Sequence, residues 1–448
     1  MSSYLIKNTQ IVNEGNIISA DLLIENGRIE KIGNNISVGK KAVTEINGDG
    51  QHLIPGCIDD QVHFREPGLT HKATIGSEAK AAIAGGVTSF MEMPNTIPNA
   101  LTQELLEEKY KIAAQSSLAN YSFYMGTSNQ NAEEVLKTND RKNDVCGIKI
   151  FMGSSTGNML VDNPNTLDKI FKEAELLIAT HCEDESIIKA NFEKLKNTNR
   201  ELVPADHPII RDEEACYASS LYAVQIAKQY NTRLHILHIS TKKELELFSN
   251  LMDSKDKRIT AEVCVHHLHF TSDDYAVLGN KIKCNPAIKA PENKQALWEA
   301  LLSDKLDLIA TDHAPHTWEE KNEPFEKAHA GLPLVQHSLS LMLHYHKKGI
   351  ISLEKIVQKM SHAVADYFQI KERGYIREGY FADLVLLDIN KNYKVSKDNI
   401  LYKCGWSPLE GVDLPGVITN TFVNGNRVYG NGKWDASNLG QRLKFDRP

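Results

Sequence analysis

The stretch LIPGCIDDQVHFREPG, residues 53–68, runs from an apolar approach straight into Asp59, Asp60, His63, Arg65 and Glu66. An apolar strand that ends in a crowd of titratable groups reads as an element that delivers chemistry at one end. The construction recurs down the middle of the chain. VTSFMEM, NYSFYMG, GIKIF, LLIATH, LHILHI, ITAEVCV and LDLIATD are short apolar runs set between helical patterns such as SEAKAAIAG and CYASSLYAVQIAKQY. With the opening stretch they make eight. Near-continuous apolar runs alternating with helices read as parallel strands covered on both faces. Eight such units predict an α/β fold, a (β/α)8 TIM barrel with its reactive groups at the C-terminal ends of the strands.

The two ends of the chain read differently. Residues 1–54 alternate in period two, with turn signals at Glu25-Asn26-Gly27 and Gly48-Asp49-Gly50. The segment 371–448 does the same, through ADLVLLD and TNTFVNGNRVYGNGK, with a hairpin signal at Asn424-Gly425. The expectation is a small β-sandwich domain built from both termini around a barrel spanning 55–370.

Composition limits the function. A net charge of -7 leaves no electrostatic footprint for nucleic acid. No apolar run approaches the roughly 18 residues of a membrane span, and MSSYLIKNTQIV carries no export signal. Seven cysteines, an odd number without CxxC spacing, fit free buried thiols in a reducing cytoplasm. The expected partner is a small-molecule substrate, with no nucleic acid and no membrane; assembly into a homo-oligomer is left open.

Polar residues close almost every apolar run. His63 follows the first, Asn95 closes the loop after the second, and Lys149 lies inside the fourth. His181 ends the fifth, His238 the sixth and Asp312 the eighth. One histidine after a strand is ordinarily a hydrogen-bonded group and nothing more. Lys149 is harder to dismiss, because an unpaired ammonium in an apolar strand is costly. Asp312 in IATDHAPH likewise needs a cation or strong donors. A metal cluster removes all these costs together. A desolvated lysine also has a lowered pKa. Its amine can take up carbon dioxide, so that the side chain arrives as an anionic carbamate able to bridge two cations.

VHFREPG (62–68), GGVTSFMEMPNTIP (85–98), IKIFMG (148–153), THCE (180–183), LHILHIST (234–241), VHHLHF (265–270), NPAIK (285–289) and ATDHAPHTWEEK (310–321) carry a resemblance. Over nearly its whole length the chain resembles the amidohydrolase superfamily, and within it the dihydroorotases. The resemblance implies reversible cyclisation of N-carbamoyl-L-aspartate to L-dihydroorotate, a step of pyrimidine synthesis. It implies that His63, carboxylated Lys149, His181, His238 and Asp312 hold one or two Zn2+ ions, with manganese or cobalt as substitutes. A metal-activated hydroxide would attack the ring carbonyl, with Asp312 as general acid/base. Arg65, Asn95 and His316 would take the substrate carboxylate. Asn285 would read the ring edge, beside the Ala330-Gly331 backbone. Ser155 or Thr156, in the glycine-containing GSSTGNML segment, would reach the substrate from a closing loop.

Three departures from the family wording matter. The usual Asp-x-His-x-His reads here Asp59, Gln61, His63. In an extended strand these three point one way, so Gln61 is expected to face the site and Asp60 to face away. An amide oxygen is a weaker zinc ligand than imidazole, which predicts unequal metal positions. Leu237 stands where the family sometimes has a cysteine associated with an extra metal, leaving Glu262 a supporting polar role. GLPLVQ (331–336) replaces the commoner Gly-Phe-Pro-Gly-Leu-Glu. The competing expectations are a hydantoinase or allantoinase, whose substrates lack the carboxylate that Arg65 would clamp. The other is an inactive dihydroorotase-like scaffold assembling with aspartate transcarbamoylase.

Overall fold

The alternation of the first segment becomes five strands, β1 (Tyr4–Asn13), β2 (Asn16–Glu25), β3 (Arg28–Gly33), β4 (Thr44–Asn47) and β5 (His52–Pro55). The structure is a computed structural model that describes residues 3–39, 42–153, 159–253 and 255–448. Ser155 and Thr156 lie outside the described residues. Asn26 and Gly27, both at positive φ, turn β2 into β3. Such a turn matches the twist of the strands it joins, and the asparagine–glycine pair tolerates it.

The middle of the chain supplies β6 (Cys57–Val62), β7 (Val87–Glu92), β8 (Asn120–Phe123), β9 (Met125–Gly126), β10 (Ile148–Phe151), β11 (Ile178–His181), β12 (Leu234–Ile236), β13 (Ile259–Cys264) and β14 (Leu308–Ala310). β6, β7 and β8 pair in that order, and β9 through β14 form a second parallel run. β8 and β9 are one stave interrupted at Tyr124, whose N–H still donates to Glu92 O at 3.1 Å. The ring closes where Val62 pairs in parallel with His313 and the His63 N–H donates to His313 O at 2.7 Å. The result is the eight-stave parallel barrel that the apolar runs predict.

β15 (Leu384–Lys394), β16 (Asp413–Val423), β17 (Asn426–Gly430) and β18 (Lys433–Trp434) return to the first sheet. The order there is β18-β17-β16-β15-β5-β1-β2-β3, with β4 pairing β1. β15 serves two cores. Leu384 and Leu386 join Ile6, Leu22 and Leu53, whereas Val385 and Leu387 join the apolar core that runs into the barrel. Successive side chains of a strand point to opposite faces, so a strand buried on both sides loses its polar alternation.

Local signals position the mouth of the barrel. Phe64 lies between His63 and Arg65 and packs its ring 4.4 Å from that of Phe90. Its complete burial contributes about 1.5–3 kcal/mol and holds its polar neighbours at the strand end. The helix Ile75–Ala84 that follows starts at Thr74, whose Oγ1 accepts the Ser77 N–H at 3.1 Å. Such a cap is worth about 1 kcal/mol.

β6 departs from strict alternation. Its pairing with β7 shifts register between Cys57 and Ile58 and again between Asp59 and Val62. Asp60 therefore does not simply face away: it turns across the barrel, 3.3 Å from His235 Nε2 on β12, with Glu262 of β13 3.1 Å from the same nitrogen. Asp59 accepts from Thr311 Oγ1 at 2.5 Å. No helix among the described residues is long and apolar enough to cross a membrane.

Candidate active site

The barrel mouth encloses a cavity of about 290 Å3 whose walls include His63, Lys149, His181, His238 and Asp312. Arg65, Asn95, Asn285 and His316 line it too, as do Gln61 and the Ala330-Gly331 backbone. Every described residue singled out from the sequence as ligand or substrate contact thus reaches one space. Arg65, His238 and Asp312 hold positive φ, a conformation uncommon outside glycine. Strain of this kind persists where surrounding structure enforces it, commonly at functional sites.

Two imidazoles meet on one side. His181 Nδ1 is 2.9 Å from His238 Nε2. His181 Nε2 lies 3.0 Å from Glu183 Oε2, off the line of a good hydrogen bond. Burial would raise the Glu183 carboxyl, but Arg211 and His181 override it and hold it at about 2. A carboxylate there favours a proton on Nε2 and leaves the Nδ1 lone pair facing His238. Burial, then the charges of His181 and Lys149, drive His238 toward its neutral form. At 2.9 Å a neutral His238 donates its Nε2–H to that lone pair; with the proton on its Nδ1 instead, both nitrogens turn lone pairs to one point, an arrangement that suits a divalent cation.

The other side is built around Asp312. Its Oδ1 is 3.0 Å from His63 Nε2 and 3.3 Å from Gln61 Nε2. Asn95 Oδ1 lies 2.7 Å from His63 Nδ1 and fixes that ring. Asn95 was expected on the substrate; its oxygen is here on the histidine. Gln61 Oε1 accepts from the Cys264 thiol at 3.6 Å.

Lys149 lines the same cavity. Its Nζ lies 4.4 Å from the centre of the Phe151 ring and has no hydrogen bond or ion pair among the described residues. Burial lowers the amine to about 7. Burial makes the ammonium costly there, and the uncharged amine it favours is a nucleophile. The donor set fits divalent cations: neutral imidazoles, a carboxylate, and an amine that carbon dioxide would convert to a carboxylate-like group.

Arg65 donates through Nε to Pro315 O at 3.0 Å, while its Nη2 approaches His316 Nε2 at 3.0 Å. Its Nη1 makes no hydrogen bond among the described residues. The alternative of a surface salt bridge between Arg65 and Glu66 is not formed, because Glu66 Oε2 accepts the Ile75 N–H. Asn285 Oδ1 lies 3.0 Å from His207 Nε2.

The sequence reading missed Arg211, which enters the cavity wall from an irregular loop, and Lys72, whose Nζ is 3.0 Å from His316 Nδ1. Neither carries a period or spacing that marks it; only Glu183, next but one to His181, hints at an ionic backing. A larger cavity of about 830 Å3 lies beside the N-terminal end of β14, but its Lys355 and Lys359 are ion-paired with Asp304. Volume does not distinguish the mouth; its imidazoles and carboxylate converging with a Lys149 amine that has no partner among the described residues do.

The model of the amidohydrolase family matches residues 52–428. The dihydroorotase of Methanosphaera stadtmanae is 31% identical over 434 residues, 96% of this chain and 96% of that protein. The dihydroorotase of Ligilactobacillus salivarius is 32% identical, over 95% of this chain and 98% of its own length. Among solved structures, the L-hydantoinase (dihydropyrimidinase) of Arthrobacter aurescens superposes with a TM-score of 0.92 at 27% identity, covering 99% of this chain and 100% of that one. The dihydropyrimidinase of Brevibacillus agri superposes at 0.89 with 24% identity and shares the fold.

Proposed function

The chain belongs to the amidohydrolase family, and from that premise we propose that it is a metal-dependent cyclic amide hydrolase that interconverts N-carbamoyl-L-aspartate and L-dihydroorotate. The single observation that carries the proposal is Lys149, a buried amine without a partner among the described residues, in a cavity lined also by His63, His181, His238, Asp312 and Arg65. His63, His181, His238, Asp312 and carboxylated Lys149 would hold one or two Zn2+ ions. When bound, such ions polarise the amide carbonyl and lower the pKa of water.

The chain's own groups then do the following. Arg65 presents Nη1 to the ring carboxylate, braced by Pro315 O, with His316 beside it. Asn285, at the cavity wall, reads the ring edge. Asp312 takes the proton from water and delivers it to the leaving ring nitrogen; in the synthetic direction the proton moves back. Asn95 keeps the His63 ring in its orientation. The barrel, 55–370, carries all of these groups, with the terminal segments 1–54 and 371–448 as its β-rich support. A cytoplasmic location is supported by cysteines that are all unpaired thiols.

Arg65 favours dihydroorotate over hydantoin or allantoin, which have no ring carboxylate. The test is turnover of all three by the purified protein, with metal analysis of the same sample. Ring opening of dihydroorotate alone is expected. Turnover of hydantoin or allantoin in its place would assign the other amide. A metal-loaded protein that turns over none would leave only the scaffold that assembles with aspartate transcarbamoylase.

A further inference from the structure

Cys264 ends β13, and the next turn, Val265–His269, carries His266 and His267. None of the three lines the catalytic cavity. One ligand atom from each lies within 4.8 Å of the other two, and all three residues are buried. Their hydrogen bonding is incomplete in a particular way. His267 Nε2 lies 3.1 Å from Pro286 O, so it is the protonated nitrogen and Nδ1 keeps its lone pair. That Nδ1 has no partner among the described residues. His266 is 1% exposed; one ring nitrogen approaches the Thr311 backbone in at most a poorly aligned hydrogen bond, and the other has no partner among the described residues. An imidazole that donates one N–H to a backbone carbonyl and leaves the other nitrogen bare has the form of a metal ligand.

We propose that Cys264, His266 and His267 form a second metal site, a thiolate–imidazole site for a borderline divalent cation such as zinc, separate from the catalytic cavity. Two imidazoles and one thiolate are an ordinary zinc donor set, and the softness of sulfur favours such a cation over magnesium or calcium. Gln61 partitions the two sites: its Nε2 is on Asp312 and its Oε1, 3.6 Å from Cys264 Sγ, is on the thiol. Binding replaces the Cys264 S–H bond by a sulfur–metal bond and releases that proton to solvent, so affinity rises with pH. Burial and the nearby carboxylates keep the thiol protonated until the cation arrives, while burial keeps both imidazoles uncharged. The site would pin the end of β13 and, through Gln61, the Asp312 side of the cavity. The proposal does not depend on which amide the enzyme hydrolyses.

The catalytic ligand set contains no sulfur, which makes the test selective. Metal-free protein titrated with Co2+ is expected to show a thiolate-to-cobalt charge-transfer band. Cys264→Ser should abolish the band while the ligand-field bands of the other cobalt remain. His266→Gln should weaken the cobalt affinity of the band at least tenfold. Cys182, beside His181, is the control: its Sγ is engaged with Thr180 Oγ1 at 3.3 Å, and Cys182→Ser should leave the band intact. Absence of the band at saturating cobalt overturns the proposal, as does its loss in Cys182→Ser and survival in Cys264→Ser. Should the Cys264 variant fail to fold, X-ray absorption of the zinc-saturated wild type decides. A sulfur neighbour at about 2.3 Å supports the site, and a shell of nitrogen and oxygen alone refutes it.

Discussion

On one side of the catalytic cavity His181 and His238 face each other, with Glu183 and Arg211 in support. On the other, His63 alone shares Asp312 with the neutral amide of Gln61. Lys149 lines the same cavity without a hydrogen-bonding partner among the described residues. On the proposed reading the cavity is two half-sites of unequal donor strength, with Lys149 as the group they would share. Whatever binds both halves must depend most on the shared group, next on the ionic support of the strong half, and least on the amide of the weak half.

The shared group gives the largest expected effect. Lys149→Ala should lower activity by about 10³-fold or more, the scale on which groups acting as a unit fail when one is removed. A short carboxylate such as propionate, added to this variant, should restore part of the loss by supplying the missing oxygens. A variant that kept more than about a tenth of the activity would show that the two halves are not joined through this position.

The protonation of the same amine predicts a pH dependence. Only uncharged amine takes up carbon dioxide, and burial holds Lys149 at about 7. Reactivation of metal-free, bicarbonate-free protein should therefore quicken as pH rises to about 7 and level off above it. The stability consequence has the same sign. The folded pKa lies below the ordinary 10.5, so between about 7 and 10.5 the unfolded chain binds the extra proton. The metal-free fold should gain stability with rising pH across that window, relative to Lys149→Met. Urea unfolding at pH 6.5 and pH 9 measures the difference. An equal gap between the two proteins at both values would mean that the amine is solvated.

The barrel was legible because each of its staves is an apolar run between helices, and the strong half-site because His181 and His238 end two of them. Lys149 was legible through its cost: nothing in GIKIF accounts for an ammonium. The supports were not. Arg211 comes from a loop, and Lys72 from the approach to the first helix, where a cation is ordinarily solvated. Asp60 stays off the catalytic cavity, but its turn across the barrel to His235 was hidden from period-two reasoning, which assumes an unbroken strand where β6 shifts register. His266 and His267 were seen only in the family-like string VHHLHF, and Cys264 only as a buried thiol in an apolar run. The bare imidazole nitrogens there are a property of packing, which no spacing rule reports.

The support of the strong half gives the next effect. Glu183→Gln keeps the shape but removes the charge that fixes the His181 proton. Metal affinity on the His181–His238 side should fall roughly 10- to 100-fold, the usual cost of losing a carboxylate partner of a metal-bound histidine. Binding at the His63 side should change little. Calorimetric titration of metal-free protein resolves the two; equal weakening of both would erase the proposed inequality between the halves.

Gln61→His is the smallest change and probes the weak half directly. The amide now donates to Asp312 and accepts from Cys264, so it contributes no strong ligand to the cavity. An imidazole in its place would compete for the same cation as His63. Tighter retention of the second metal equivalent through dialysis is expected, by about tenfold or more. With metal in excess both forms are fully loaded, and turnover should differ by less than about threefold. A larger fall in turnover would mean that Gln61 positions Asp312 for proton transfer, because the histidine would have traded the 3.3 Å contact to its carboxylate for a metal bond. Unchanged retention together with unchanged turnover would place residue 61 outside both roles and remove the weak half's distinguishing feature.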